Sequence, residues 1–300
     1  MTTVTLVQLG ASALALGAVY ALVALGFVLL IAATGAVNFA HGDLVMAGAF
    51  LAVLVADLTG WPGLALAPLV LAGLGLLGLL LACLAILPLR RAPPTAIFIS
   101  TIAVGVMLQN GATLLFGAAP RVGPPLLGAS ITGGGGSAVQ VGGIALDPQS
   151  LAVIATAGLL LLLAHLFLVR SRHGRRLRAA AEDAEMAAAI GVHVPAALIA
   201  TTMLAAALAG AAGLLLANQH FVEPTSGGAL MLKAYVAVAI GGWGSIAGAL
   251  LGALLIALFE VIVAAFISYS AAEAGLYLLL IAILLVRPQG LLGERTGRRA

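Results

Sequence analysis

The sequence predicts an all-α, polytopic membrane protein of eight or nine transmembrane helices, some short or broken. Three observations predict it. Of 300 residues, 63% are hydrophobic and 8% are charged, and the mean hydropathy is +1.23; a soluble domain carries roughly 25% charged residues. The apolar runs are long and uninterrupted, whereas strands of a membrane barrel alternate over about 10 residues. The charges gather in short islands between those runs, because a charged segment is costly in hydrocarbon.

A helical span needs about 20 apolar residues. Such runs cover residues 5–33, 43–59, 64–88, 95–117, 149–170, 195–217, 226–241, 246–268 and 272–287. The second, seventh and ninth are short. The first follows Met1-Thr2-Thr3, which has no basic region, and no small-residue cleavage site ends a short apolar core, so it reads as a retained span. Asp147-Pro148 has the chemistry of a helix start, with Asp as cap and Pro in the first turn. Pro93-Pro94 and Pro195 mark starts in the same way. A single transmembrane domain over 1–300 is expected.

Basic residues set the orientation. Arg90 and Arg91 follow the third span, Arg170 to Arg178 the fifth, and Arg287, Arg295, Arg298 and Arg299 the last. Nine crossings put all three clusters on one face, which is then cytoplasmic. The N-terminus is external, the C-terminus cytoplasmic, and loop 118–148, with its Gly133–Gly136 run, external. Arg121 and Lys233 fall outside that scheme. The basic residues follow the membrane, so the net charge of +3 implies no nucleic-acid partner. A faint repeat relates Asn38–Phe50 to Gly241–Ala253, and repeated broken segments point to transport pathways; a chance match in a Gly/Ala-rich chain competes with that reading.

Polar residues in the apolar runs and the residues of two breaks between them nominate a pathway or gate: Asn38, Phe39, His41, Gly42, Gln109, Asn110, Lys233, Gly242 and Gly244. Asn38-Phe39-Ala40-His41-Gly42-Asp43 is either a helix break lining a cavity or a short turn in which Asn38 or Asp43 caps the next helix. Gln109-Asn110 sits in mid-span and suits hydrogen bonds to a neighbouring helix. Lys233, the only lysine, needs a partner such as Glu223, Glu260 or Glu273. Gly244, Gly248 and Gly252 form two G-x-x-x-G steps and suit close helix packing. The single Cys83 excludes a disulfide framework. His41, His165, His173, His193 and His220 are scattered and never fall at ligand spacing, so no metal site and no catalytic set is expected.

The most conspicuous segment is the charged island at 170–195, RSRHGRRLRAAAEDAEMAAAIGVHVP. Arg175, Arg176 and Arg178 precede Glu182, Asp183 and Glu185. A single helix prefers the reverse order, and Arg178–Glu182 has the weaker sense for a pair four residues apart. The arginines alone fit a positive-inside cluster; the acidic half fits a surface shaped for another protein.

Three segments resemble one family: GAVYALVALGFVLLIAATGAVNFAHGDLVMAGAF, RSRHGRRLRAAAEDAEMAAAIGV, and LKAYVAVAIGGWGSIAGALLGALLIALFE followed by RPQGLLG. Together they resemble the permease subunits of ABC importers for branched-chain amino acids. The short N-terminus and NFAHG favour the shorter of the two paired permeases. The resemblance implies that the island is a coupling helix seated in an ATPase subunit. Its importer motif, Glu-Ala-Ala, three residues, then Gly, is matched at Glu185, Ala187 and Gly191, with Met186 in place of the first Ala. Arg172, Gly174, Arg175, Arg178 and Asp183 complete the implied coupling set.

The resemblance further implies a second permease in a heterodimer, two cytoplasmic ATPase chains that use ATP-Mg, and an external substrate-binding protein. It places the chain, as a multi-pass protein, in the inner membrane of a bacterium. No P-loop is present, since Lys233 follows Leu232 and precedes Ala234. The chain is therefore expected to bind no cofactor and to be no enzyme. Leucine, isoleucine or valine is the expected substrate; urea or short amides suit the same family. An ion-coupled secondary transporter is the rival, with Asp43, Asp57, Glu260 and Glu273 as its only candidate carboxylates.

Overall fold

The computed structural model describes residues 3–127, 139–141, 144–217, 219, 221–287 and 289–292. Gly133–Gly136, His220, Arg295, Arg298 and Arg299 lie outside the described residues. The chain forms α1 (Thr3–Thr34), α2 (His41–Thr59), α3 (Gly63–Leu81) and α4 (Pro94–Phe116). A hairpin, β1 (Val139–Val141) and β2 (Ile144–Leu146), precedes α5 (Pro148–Arg170). Then come α6 (Arg172–Glu182), α7 (Ala184–Ala189), α8 (Val194–Ala217), α9 (Ser226–Gly241), α10 (Ile246–Phe266) and α11 (Tyr269–Val286). Among the described residues, eight helices are long and apolar enough to cross a membrane, and α9, at 16 residues, is a shorter apolar helix. The chain is a polytopic, all-α membrane protein, as its composition requires.

The expected start signals operate. Asp147 accepts hydrogen bonds from the Gln149 and Ser150 amides ahead of α5. α4 begins at Pro94 behind Pro93, and Pro195 lies in the first turn of α8. The third span continues past α3 through a π-turn, Ala82–Ile86, and a 3-10 turn, Leu87–Leu89. It therefore ends near the expected residue 88.

Helices other than α6 and α7 alternate in direction between two ends. One, the hairpin end, holds Gly63 bonded to Pro125, Leu126 bonded to Gln149, and Arg121 bonded to Val222. The other, the arginine end, gathers Arg90 and Arg91, helices α6 and α7, and Arg287. The described members of the three basic clusters thus share one end, as the nine-pass reading expects.

α1 and α8 form the centre. α1 is buried almost continuously from Ala15 to Leu30, and α8 from Ala205 to Ala217. Without a hydrophobic drive between helices in lipid, small residues allow dispersion contacts at short range. Gly48 abuts the Gly210 backbone, and a side chain at Gly213 would collide with the Val45 carbonyl. Gly248 and Gly252 do the same for α10 against Gly241 and Ala237 of α9. The expected three-glycine stripe is therefore shorter by one: Gly244 lies before α10, in a turn with φ 81°, a conformation that suits glycine. α4, α5 and α11 keep broad apolar faces exposed, such as Leu114 and Leu285, as lipid-facing helices do.

Candidate functional site

The segment after α1 turns back into the bundle. α1 runs on to Thr34, yet the His41 ring packs against Gly26 and its Nε2 donates to the Val23 carbonyl at 3.0 Å. Asn38 Oδ1 accepts the Ala40 amide, and Thr101 Oγ1 accepts the Phe39 amide. Asn38, Ala40, His41 and Asp43 are all buried. The Asn38–Asp43 segment thus turns back into the bundle and is closely packed there; neither Asn38 nor Asp43 caps α2, whose cap position is Ala40 without a side-chain bond. Asn38 Nδ2 and His41 Nδ1 are buried without a hydrogen-bond partner among the described residues.

Asp43, in the first turn of α2, faces Gly105 midway along α4 and accepts a hydrogen bond from Gln109 Nε2 at 2.9 Å. On its other side it meets Gly227, in the first turn of α9. Two helices therefore begin near mid-bundle, N-terminus against N-terminus, and leave toward opposite ends. Their positive dipole ends favour a carboxylate between them, and Asp43 supplies it. A side chain at Gly42 would collide with the Gly227 carbonyl, so only glycine permits this approach.

Other nominated residues sort by position. Phe39 stacks edge-on against Phe98, with ring centroids 4.8 Å apart. Asn110 does not reach a neighbouring helix: it is exposed and its Nδ2 bonds back to the Val106 carbonyl. One residue on a helix turns about 100°, so Gln109 faces inward while Asn110 faces out. Gly242 and Gly244 stay at the arginine end, where Leu291 and Leu292 donate to the Ile240 and Gly241 carbonyls. That turn does not re-enter as Asn38–Asp43 does. The structural counterpart of the α2 break is the start of α9, which the faint repeat does not indicate.

Lys233 has its partner. Its Nζ lies 2.6 Å from Glu260 Oε1 and 2.9 Å from the Tyr20 hydroxyl, which donates to Glu260 Oε2 at 2.9 Å. The ammonium also lies over the Tyr20 and Tyr269 rings. Tyr20 and Lys233 edge a cavity of about 520 Å³ between α1, α2, α8, α9 and α11. Phe221 and Val222, beside the Arg121 bridge, place the cavity toward the hairpin end.

At the arginine end, the island is two helices, not one. Ser171 caps α6 by accepting the Gly174 amide, and Asp183 caps α7 by accepting the Glu185 and Met186 amides. The break corrects the reversed charge order in part. Asp183 and Glu185 stand at the N-terminus of α7, where acids are favoured, whereas Arg172 and Arg175 remain at the start of α6. Arg178 and Glu182 form no ion pair among the described residues. Gly174 fits where a side chain would strike the Phe167 carbonyl and Leu168. Ala187 is buried, and Gly191 ends α7 with φ 87°, closed by the Val192 amide on the Ala187 carbonyl at 2.9 Å.

Gly174, Asp183, Ala187 and Gly191 therefore build the island, and Arg172, Arg175, Arg178 and Glu185 face out. Two further residues stand out on the surface: Met186 is 66% exposed and Ile190 77%. In the sequence Ile190 carries no motif signal, and Met186 stands only as a departure from the importer motif. Their spacing of four on a helical segment was the available signal.

No solved structure significantly matches the chain. Curated relatives do. BraD of Pseudomonas aeruginosa, a high-affinity branched-chain amino acid transport system permease protein, is 31% identical over 290 residues, covering 94% of each chain. LivH of Escherichia coli K12, of the same description, is 30% identical over 296 residues, covering 93% of this chain and 92% of its own. The probable LivH of Methanocaldococcus jannaschii is 27% identical over 287 residues, covering 91% and 88%. The family model described as branched-chain amino acid transport system, permease component, matches residues 10–286, so the chain belongs to that family of transport permeases.

Proposed function

We propose that this chain is one permease of an ABC importer for branched-chain amino acids, paired with a second permease in the inner membrane. Two separate ATPase chains bind and hydrolyse ATP-Mg, and an external binding protein delivers leucine, isoleucine or valine to the hairpin end. The arginine end is cytoplasmic by the positive-inside rule. The observation that carries this reading is the family match over nearly the whole chain, together with an island that presents apolar side chains to water. Met186 and Ile190 seat in the ATPase, and the exposed arginines of α6 steer it there. ATP binding closes the ATPase pair, moves α6 and α7 as a unit through their packing on α5 and α8, and shifts the spans between outward- and inward-facing states.

Co-purification of the ATPase with tagged permease tests the docking. Met186→Asp with Ile190→Asp is expected to abolish co-purification while the permease still inserts in the membrane. An ATPase retained at the wild-type level overturns the assignment of this surface.

A further inference from the structure

The cavity beside Lys233 has two chemically different walls. Val45, Met46, Leu216 and Leu230 supply apolar surface. Lys233 of α9, already paired with Glu260, and Glu273 of α11 face the cavity from two helices that pack together, and the exposed Glu223 stands at its rim. An ammonium has three N–H donors; Glu260 and Tyr20 accept from Lys233, which leaves one. Glu260 is neutralised by Lys233, whereas Glu273 forms no ion pair among the described residues and borders the cavity.

A partly buried carboxylate without a counter-charge is costly, and so is a donor without an acceptor. A solute carrying both charges removes both costs at once. Urea and short amides carry neither. A metal cation would find only the carboxylates of Glu223 and Glu273 here, and among the described residues no three carboxylate, histidine or cysteine groups gather to hold one.

We infer that this cavity is a subsite for the zwitterionic head of an α-amino acid. The carboxylate accepts from Lys233, the ammonium donates to Glu273, and the aliphatic side chain lies on the wall of Val45, Met46 and Leu216. Selection against uncharged solutes then resides in the permease as well as in any delivering protein. This inference rests on the importer reading above and assigns the head-group contacts within it.

The test is uptake of radiolabelled L-leucine by the assembled transporter, with ATP hydrolysis followed in parallel. Glu273→Gln is expected to lower leucine uptake about tenfold or more, the scale of a hydrogen bond to a charged group. Binding-protein-stimulated ATP hydrolysis is expected to continue. Glu273→Asp restores part of the uptake, which separates charge from folding. Glu273→Gln that transports leucine at the wild-type rate overturns the subsite and leaves the importer reading standing. A wild-type transporter that carries urea and no leucine overturns both.

Discussion

Gln109 donates to Asp43 across 2.9 Å in the middle of the bundle, tying α4 to the place where α2 and α9 begin. The bond joins a helix with a broad exposed face to the starts of two interior helices. Gln109→Leu removes the donor and leaves a buried carboxylate without it, a loss of about 1–3 kcal/mol. Thermal unfolding in detergent is expected to register it, and Asp43→Asn, which keeps an acceptor for Gln109, is expected to cost less. Equal losses in the two variants contradict the assigned bond.

The close approach of α2 and α9 makes its own prediction. Gly42→Ala and Gly227→Ala both place a methyl group where the partner helix already stands. Overpacking of this kind costs about 1–3 kcal/mol. A lower melting temperature and a lower yield of folded protein are expected for both, with Gly228→Ala as the unaffected neighbour, since nothing lies within 4 Å of it.

The Lys233–Glu260 pair is deeply placed, with side-chain exposures of 12% and 7%. Lys233→Met leaves Glu260 buried beside Tyr20 alone and is expected to destabilise by about 3–5 kcal/mol. The double variant Lys233→Met with Glu260→Leu removes both charges and is expected to regain most of that stability. A double-mutant cycle in thermal unfolding measures the coupling, and simple additivity contradicts the pairing.

α7 is held by its two ends. Asp183→Ala removes the cap and costs about 1 kcal/mol; Gly191→Ala forces a left-handed conformation and costs about 1–2 kcal/mol. These losses are local. Hydrogen exchange of the 184–190 amides is expected to accelerate in both variants while the bundle amides hold their protection. Uniform acceleration across the bundle contradicts the placement of α7 outside the bundle core.

Most of the fold was legible in the sequence because the bilayer imposes it. Helix number, Asp147 as a cap and the shared end of the basic clusters follow from hydropathy, turn chemistry and charge. Depth did not follow. A hydropathy window reports the length of a run and not where it starts in the bundle, so the burial of Asn38–Asp43 stayed hidden. The groups that satisfy this segment come from far along the chain, Thr101 for Phe39 and Gln109 for Asp43. Glu260 was one of three carboxylates available to Lys233, and only packing brings α1, α9 and α10 to one point. In the island, Asp183 followed by Glu185 carried a second start signal, and reading the arginines and acids as one helix concealed it.

ATP-dependent uptake of L-leucine separates an ATP-driven importer from an ion-coupled transporter. Vesicles containing this permease with its partner subunits and binding protein are loaded with ATP or left without it, and radiolabelled leucine is followed with and without an ionophore. Uptake that requires ATP and survives the ionophore is expected. Uptake that proceeds without ATP and collapses with the ionophore contradicts it, and assigns the pathway to an ion-coupled transporter instead.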